Sequence, residues 1–232
     1  DGYTCVAMHP YYETGWSRNQ VYPKIGYDEM HFIDDFDQTK ILREYITDQE
    51  LYDKIIERYE SRGANEKLYL MGITMQNHGG YGEPYDNFYE RCYKIGRSYT
   101  DANQYLSLVH ESDKAVKNLI EYFSKVDDPV EIVFFGDHQP NDTVAAPILN
   151  LNGMTTKTLT EDQLKLRYEV PYVIWANYDI DAESGKDTSA NYLAADVLHY
   201  AGISENAYGS YLLELQPVSY THLRAHETTL HL

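Results

Sequence analysis

The chain has 232 residues, 43% of them hydrophobic, which is enough to bury one substantial core. Its 37 acidic residues outnumber its 19 basic residues, for a formal net charge of -18. This balance argues against a nucleic-acid or anionic-lipid surface, since both need clustered lysine and arginine. No apolar run approaches the roughly 20 residues of a membrane span, and no signal peptide is recognisable. Cys5 and Cys92 lack zinc-ligand spacing and are too few for a disulfide framework, so we expect buried free thiols.

Both ends of the sequence have features that bear on how much of it belongs to a native fold. The opening "DGYTCVAMHP" has no initiator methionine and already predicts a strand at Tyr3–Met8, so we expect a fragment that enters a domain partway through. Residues 217–232 have no hydrophobic period and resemble the read-through translation of a transposase sequencing adaptor. We therefore interpret residues 1–216 as the native part, the alternative for 217–232 being a natural polar tail. The excluded stretch contains three histidines, His222, His226 and His231.

Between these ends, strands alternate with helices. An irregular stretch follows the first strand to about Tyr45, and further apolar runs predict strands at 67–75, 132–135 and 169–177. Amphipathic stripes with capping residues predict helices at 47–63, 101–126, 189–203 and 206–216. Continuous apolar strands separated by helices are typical of a mostly parallel sheet sandwiched by helices. The sequence therefore predicts an α/β fold.

Chemically active side chains follow three of the predicted strands. His9 follows the first strand, His78 the second, and the pair Asp137 and His138 the third. Because ligands of α/β sheets bind outside the carboxyl ends of the strands, we expect these residues to converge on one rim. Any one of these histidines alone is more often a surface or satisfied core residue. Asp137 and His138 offer a carboxylate oxygen and an imidazole nitrogen, which suit manganese, zinc or iron better than calcium, but two ligands do not complete a site.

Three stretches carry a family resemblance: "GDHQP" after its apolar strand, "ITMQNHGGY" upstream, and "MHPYYETGWSRNQVYPKIGYDEMHF" near the start. In this order, with "YLSLVHESDKAVKNLIEYF" between the second and the third, they resemble phosphoglycerol transferases of the lipoteichoic acid synthase type. These enzymes belong to the sulfatase and alkaline-phosphatase superfamily. The resemblance covers roughly residues 3–216 and implies the C-terminal part of an alkaline-phosphatase-like catalytic domain, truncated at its N-terminus.

The resemblance implies a role for each matching residue. Asp137 and His138 would hold the catalytic divalent cation, which is usually manganese in such enzymes, and His78 would contact the substrate phosphate. The remaining matching positions line the phosphoglycerol site and are occupied here by His9, Trp16 and Arg18. The plainer alternatives are a solvated surface arginine and a core tryptophan.

The chain departs from the family pattern in two ways. Tyr11 stands where the lipoteichoic acid synthases have an acid, so the head group could differ from glycerol phosphate. The family's threonine nucleophile and a glutamate metal ligand lie N-terminal to the equivalent of Asp1. Since the family mechanism passes through a phosphoglycerol-threonine intermediate, we expect this fragment to be inactive alone.

The function implied by the resemblance is metal-dependent transfer of a phosphoglycerol-type head group from a lipid to a cell-envelope polymer or glycan. The substrate would be an anionic glycerophospholipid or polyol phosphate, and the partners would include no nucleic acid. The full-length protein would act at the extracellular face of the bacterial cell membrane, held by an N-terminal anchor absent from this sequence. Alternatives are a sulfatase, a phosphodiesterase, a phosphoethanolamine transferase, or a non-catalytic binding domain with the same fold.

Overall fold

The computed structural model describes residues 2–92, 99–204 and 206–217. The chain forms two compact units, one comprising Asp1–Lys125 and Gln139–Tyr168 and the other Val126–His138 and Glu169–Leu232. Of residues 217–232, which resemble a sequencing adaptor, only Pro217 is described, and it is the last residue of the last helix.

The order of elements along the chain alternates as expected for an α/β protein. The strands are β1 (Tyr3–Met8), β2 (Glu29–His31), β3 (Ile41–Leu42), β4 (Tyr45–Ile46), β5 (Lys67–Gly72), β6 (Glu131–Phe135) and β7 (Tyr172–Ala176). The helices are α1 (Arg18–Ile25), α2 (Asp48–Glu60), α3 (Thr100–Phe123), α4 (Asp142–Leu149), α5 (Glu161–Lys165), α6 (Ala190–Tyr200) and α7 over 207–217.

The first unit is built on a parallel sheet in the order β2-β1-β5. Met8 at the end of β1 pairs with His31 on one side and with Gly72 on the other. All three strands therefore end at the same edge, which is the edge where α/β sheets bind ligands. The end of the central strand is fully buried, since Val6, Ala7 and Met8 are at most 2% exposed.

The long helices of the first unit begin and end for local reasons. Thr47 caps α2 by accepting a hydrogen bond from the Glu50 amide at 3.2 Å, as the sequence predicts. The helix ends at Glu60, before the predicted stop at Gly63, because the chain already turns at Ser61. Helix α3 buries an apolar stripe whose best-covered members are Leu108, Leu119 and Phe123.

The second unit contains β6 and β7, which pair with each other in antiparallel register, Val133 opposite Ile174. Here the pairing differs from the parallel order that alternating strands and helices suggest. An apolar run determines that a segment is a strand, but not the direction of its neighbour, which depends on tertiary contacts. Helices α6 and α7 pack through a cluster of Tyr192, Ala195 and Leu212.

Several elements arise in segments where the sequence predicts none, among them α1, β2 and α4. Helix α1 and strand β2 lie in the stretch expected to be irregular, and α4 follows the "GDHQP" turn. Helices α1 and α4 contain Pro23 and Pro147, which are poor helix formers, and β2 has only 3 residues. Such short elements carry too little periodicity to be recognised before the sheet that supports them is known.

Two further expectations concern thiols and membranes. Cys5 and Cys92 are unpaired, as expected, but both are half-buried rather than buried. In the described part of the chain, no helix combines the length and apolarity required to cross a bilayer.

A buried carboxyl group joins α2 to the rest of the first unit. Asp48 is 3% exposed and accepts a hydrogen bond from the Ser112 hydroxyl at 2.5 Å. Its backbone amide donates to the side-chain oxygen of Gln76 at 3.1 Å. Burial raises the pKa of the Asp48 carboxyl to about 6, although these hydrogen bonds act in the opposite direction.

We predict that Asp48 makes the stability of the protein depend on pH. The pKa of the Asp48 carboxyl in the folded state lies above the ordinary value of 3.8. The contribution of this carboxyl to the free energy of unfolding is therefore complete below about pH 3.8 and is lost as the pH rises through about 6. Asp48→Asn has no charge to bury, so its free energy of unfolding relative to wild type should rise by about 1–3 kcal/mol between acidic and neutral pH. Urea denaturation at a series of pH values measures this difference. The control is Asp53→Asn, at an exposed position of α2, whose free energy of unfolding should change with pH as that of wild type does. The same pH dependence in Asp48→Asn and wild type would contradict the prediction.

Candidate active site

His9 lies directly after β1, at the carboxyl edge of the parallel sheet, and is 1% exposed. Its Nδ1 is 3.0 Å from the carbonyl oxygen of Ile73, which can only accept, so Nδ1 carries the proton. Its Nε2 is 3.0 Å from Nη1 of Arg18 and therefore accepts a hydrogen bond from the guanidinium. Burial lowers the pKa of His9 to about 4, with the bond to Ile73 opposing and the charge of Arg18 adding to the decrease.

Arg18 is held from three directions. Besides its bond to His9, its Nε donates to the Tyr22 hydroxyl at 2.8 Å. Its guanidinium carbon lies 4.4 Å from the centre of the Trp16 ring, a cation-π contact. Within the described residues, Nη2 of Arg18 has no hydrogen-bond partner. One edge of a positioned cation is therefore available to an anion.

Trp16 is 59% exposed although it is a large aromatic residue. Trp16 and Ser17 have φ angles of 53° and 57°, the left-handed region that ordinary residues avoid. Backbone strain at an exposed tryptophan is more typical of a binding site than of packing. The Trp16 ring lies 5.8 Å from the His9 ring and 6.2 Å from the His78 ring, measured between centroids.

His78 lies on the loop after β5, not at the strand end, because the strand stops at Gly72. Its backbone amide donates to the Met75 carbonyl at 2.9 Å, and its imidazole is exposed. Its Nδ1 is 3.1 Å from the Gly79 carbonyl, and the Tyr45 hydroxyl lies 3.3 Å from the same nitrogen. With Nδ1 engaged, Nε2 is the nitrogen that can meet a ligand.

Aromatic rings surround this group of side chains. Tyr11 lies 5.8 Å from Trp16 and 6.3 Å from Tyr45, and the Tyr45 ring lies 5.6 Å from His78. The sequence did not identify Tyr45 as a site residue, because the chain has 24 tyrosines and no motif distinguishes this one from the others. We define the substrate cluster as the six residues His9, Tyr11, Trp16, Arg18, Tyr45 and His78. The structure thus brings together all four residues that the resemblance assigns to the substrate.

Asp137 and His138 follow β6 and belong to the second unit. The amide of His138 donates to Oδ1 of Asp137 at 2.9 Å, and Nε2 of His138 lies 3.6 Å from Oδ2. The two side chains are 86% and 77% exposed, respectively. Their convergence with His9 and His78, which belong to the first unit, stays a prediction.

The donor set of Asp137 and His138 fits a divalent metal. A carboxylate oxygen and an imidazole nitrogen are ligands that manganese and zinc accept, and both are exposed enough to take up an ion. Among the residues that the structure describes, no group of three or more His, Cys, Asp or Glu side chains could hold a metal ion. The pair can therefore supply only part of a coordination sphere.

Comparison with known proteins identifies the family. The family model described as Sulfatase matches residues 1–203. The chain belongs to the sulfatase family. The α/β fold class and the superfamily expected from the resemblance are thereby confirmed.

Two relatives of this sulfatase family member are named for a glucan and for lipoteichoic acid. A Rhizobium meliloti protein named for cyclic β-1,2-glucan modification is 25% identical over 219 residues, covering 91% of this chain and 34% of that protein. Lipoteichoic acid synthase 1 of Bacillus subtilis is 24% identical over 145 residues, covering 60% of this chain and 22% of the synthase. The chain thus spans about a third of the first protein's length, and less of the second's.

The fold of this sulfatase family member also resembles a solved structure. Streptococcus pyogenes phosphoglycerol transferase GacH, solved in complex with sn-glycerol-1-phosphate, superposes with a TM-score of 0.69 at 20% identity. The match covers 93% of this chain and 54% of the GacH chain. At this identity the likeness shows a shared fold.

We predict that His9 stays neutral and keeps its proton on Nδ1 throughout the physiological range. With a pKa of about 4, its imidazole should show no protonation above about pH 5. Nitrogen-15 NMR shifts of the His9 ring across a pH series measure both the tautomer and the titration. The urea-unfolded chain provides the reference and should titrate near the ordinary value of 6.5. A midpoint near that value in the folded protein would show that the buried geometry is wrong.

Proposed function

We propose that this chain is part of a metal-dependent phosphotransferase that transfers a phosphoglycerol-type head group from a lipid to a cell-envelope polymer or glycan. The observation that carries the proposal is the available edge of Arg18, braced by His9 and Trp16, in a group that also includes the exposed imidazole of His78. A positioned cation in a chain of net charge -18 suits an anionic substrate. The names of the relatives, which include a lipoteichoic acid synthase and a phosphoglycerol transferase, support the same class of reaction.

We propose roles for four residues of the substrate cluster, and their contacts support each role. Arg18 offers a planar guanidinium fork to two phosphate oxygens. Nδ1 of His78 donates to the Gly79 carbonyl, so Nε2 donates to a further phosphate oxygen when the imidazole is in its cationic form. His9 acts through Arg18, because both of its ring nitrogens are already engaged and it accepts from the guanidinium. Trp16 keeps the same guanidinium in one plane by stacking on it.

Asp137 and His138 are the residues that would hold the cation, which we propose to be manganese. When bound, a divalent cation polarises phosphate oxygens and lowers the pKa of a coordinated hydroxyl. Asp137 would contribute a negative oxygen and His138 a neutral nitrogen, so the pair neutralises only one of the two metal charges. The one remaining charge would be balanced by a glutamate ligand.

The other parts of the proposed machinery precede this chain. We propose that a threonine nucleophile and the glutamate ligand are encoded upstream of Asp1, so the present chain would show no turnover by itself. We also propose that the whole protein is anchored by an upstream segment and acts at the extracellular face of the bacterial membrane. The envelope polymers in the names of the relatives support this location.

A second candidate function differs in the head group. Tyr11 occupies the position of a family acid, and its ring packs against Trp16 and Tyr45. A tyrosine cannot supply the carboxylate that accepts bonds from adjacent glycerol hydroxyls. The aromatic rings of Tyr11, Trp16 and Tyr45 can instead attract an ammonium group, which favours a related head group such as phosphoethanolamine.

We predict that substitutions in the complete enzyme separate the metal pair from the substrate cluster. Asp137→Ala and His138→Ala should each weaken manganese binding at least about tenfold and reduce transfer below about 1% of wild type, because each removes a ligand. His78→Ala should reduce transfer about 100-fold and leave manganese affinity unchanged, because it removes only a phosphate contact. Manganese content and the rate of transfer from a phosphoglycerol lipid are measured on the same preparations.

The matched control is His110→Ala, which removes an exposed histidine from α3. It should change neither quantity. Full manganese occupancy in the Asp137→Ala and His138→Ala variants would overturn the metal assignment. Loss of stability with unchanged activity per folded molecule would instead indicate that His138 is a structural histidine.

We predict that Tyr11 controls the choice of head group. Tyr11→Leu removes an aromatic face that attracts an ammonium group, so the transfer rate with a glycerol head group relative to an ethanolamine head group should rise about threefold. Tyr11→Phe keeps the aromatic face and should leave this ratio near the wild-type value. Competition between the two lipids in one assay measures the ratio, and an unchanged ratio in Tyr11→Leu would remove Tyr11 from specificity.

A further inference from the structure

Arg43 is a buried arginine in the short connection between β3 and β4. It is 5% exposed, and its φ angle of 56° lies in the left-handed region that favours glycine. The side-chain amide of Asn87 donates to the Arg43 carbonyl at 3.1 Å and holds this backbone in place. An arginine in a conformation that costs energy, away from water, needs a compensating role.

The guanidinium of Arg43 binds three carbonyl groups of one loop. Nη1 donates to the Gly80 carbonyl at 2.8 Å, and Nη2 donates to the carbonyls of Gln76 at 3.2 Å and His78 at 2.7 Å. The middle one of these carbonyls belongs to the proposed phosphate contact itself. A single planar group thus clamps the backbone on both sides of His78 and at His78.

No carboxylate in the described part of the chain pairs with this guanidinium. Its other neighbours are the rings of Tyr45, Tyr81 and Tyr85, at 6.0, 5.1 and 5.8 Å from the guanidinium carbon. Burial lowers the pKa of Arg43, yet the group remains a cation. A buried charge without an ion partner is costly, so packing alone does not explain it.

The same arginine also supports His78 through Tyr45. The Tyr45 ring faces the guanidinium, while its hydroxyl lies 3.3 Å from Nδ1 of His78 and donates to the Gly79 carbonyl at the same distance. The backbone of the loop is therefore held by Arg43, and the imidazole is oriented by a tyrosine that packs on Arg43. Neither contact uses Nε2 of His78 as a hydrogen-bonding atom.

We infer that Arg43 is a positioning residue that fixes the His78 loop in the geometry that presents Nε2 to the substrate phosphate. The inference rests on the proposed function for the role of the phosphate, but the loop geometry can be measured without it. Arg43 is not placed to touch the substrate, because it is 5% exposed and three of its N–H groups donate to backbone carbonyls.

The test compares Arg43→Lys and Arg43→Gln with wild type in the chain as it stands. Lysine keeps the charge but lacks the planar fork that spans three carbonyls, and glutamine loses both. In both variants we expect hydrogen exchange of the His78 amide to accelerate at least tenfold and the nuclear Overhauser contact between the rings of Tyr45 and His78 to weaken. Exchange of the β1 amides should be unchanged.

Arg62 offers a matched control, since it also donates to a carbonyl, that of Tyr59, and stacks on a tyrosine ring. Arg62→Lys and Arg62→Gln should leave the His78 amide and the ring contact as in wild type. Unchanged exchange at His78 in both Arg43 variants would overturn the inference. Equal acceleration at His78 and in β1 would also overturn it, because it would indicate a general loss of stability.

The functional consequence is measured separately, with sn-glycerol 1-phosphate as the probe. Its affinity for the chain should fall about tenfold in Arg43→Gln, less in Arg43→Lys, and not in the Arg62 variants. In the complete enzyme, Arg43→Lys should lower kcat more than it raises KM, because the loop is misplaced rather than deleted. If wild type itself binds neither this probe nor O-phosphoethanolamine, the proposed function fails, whereas the exchange result still decides whether Arg43 positions the loop.

Discussion

The candidate site depends on the parallel pairing of β1 with β2 and β5. This register places Met8 beside His31 and Gly72, so the residues after β1 and β5 emerge from one edge of the sheet. His9 is then close enough to the chain after β5 to donate to the Ile73 carbonyl at 3.0 Å. That bond fixes the tautomer of His9, and the tautomer allows it to accept from Arg18. The orientation of a surface cation thus follows from sheet geometry through one buried imidazole.

The two proposed phosphate contacts, Arg18 and His78, are oriented in different ways. Arg18 is oriented by side chains, namely a neutral histidine, a tyrosine hydroxyl and a strained tryptophan. His78 is oriented through its backbone, because Arg43 donates hydrogen bonds to the carbonyls of Gln76, His78 and Gly80. In both cases a nitrogen stays available to a ligand, namely Nη2 of Arg18 and Nε2 of His78. Pre-organisation of this kind reduces the entropy lost on binding, which suits a site that must recognise a small anion.

Stability and binding compete in the first unit. Buried Arg43 and strained Trp16 each cost free energy, and both contact the substrate cluster or belong to it. Buried Asp48 adds a further cost in the interior, at Ser112 and Gln76. The apolar core residues Val6, Met8 and Leu108 are at most 1% exposed. This distribution is typical of a protein whose packed scaffold tolerates local strain where function requires it.

The sequence alone determined the α/β class, the long helices α2 and α3, and the candidate residues His9 and His78, which follow predicted strands. Trp16 and Arg18 became candidates through the family resemblance. Periodicity, capping and short motifs are local properties, so they can be read without a structure. Tertiary structure decided the antiparallel pairing of β6 with β7, the tautomer of His9, and the roles of Tyr45 and Arg43. Arg43 reads as an ordinary arginine in sequence, because the carbonyls that it binds lie more than 30 positions further along the chain. Contacts over such separations depend on how the strands pair, which no local pattern encodes.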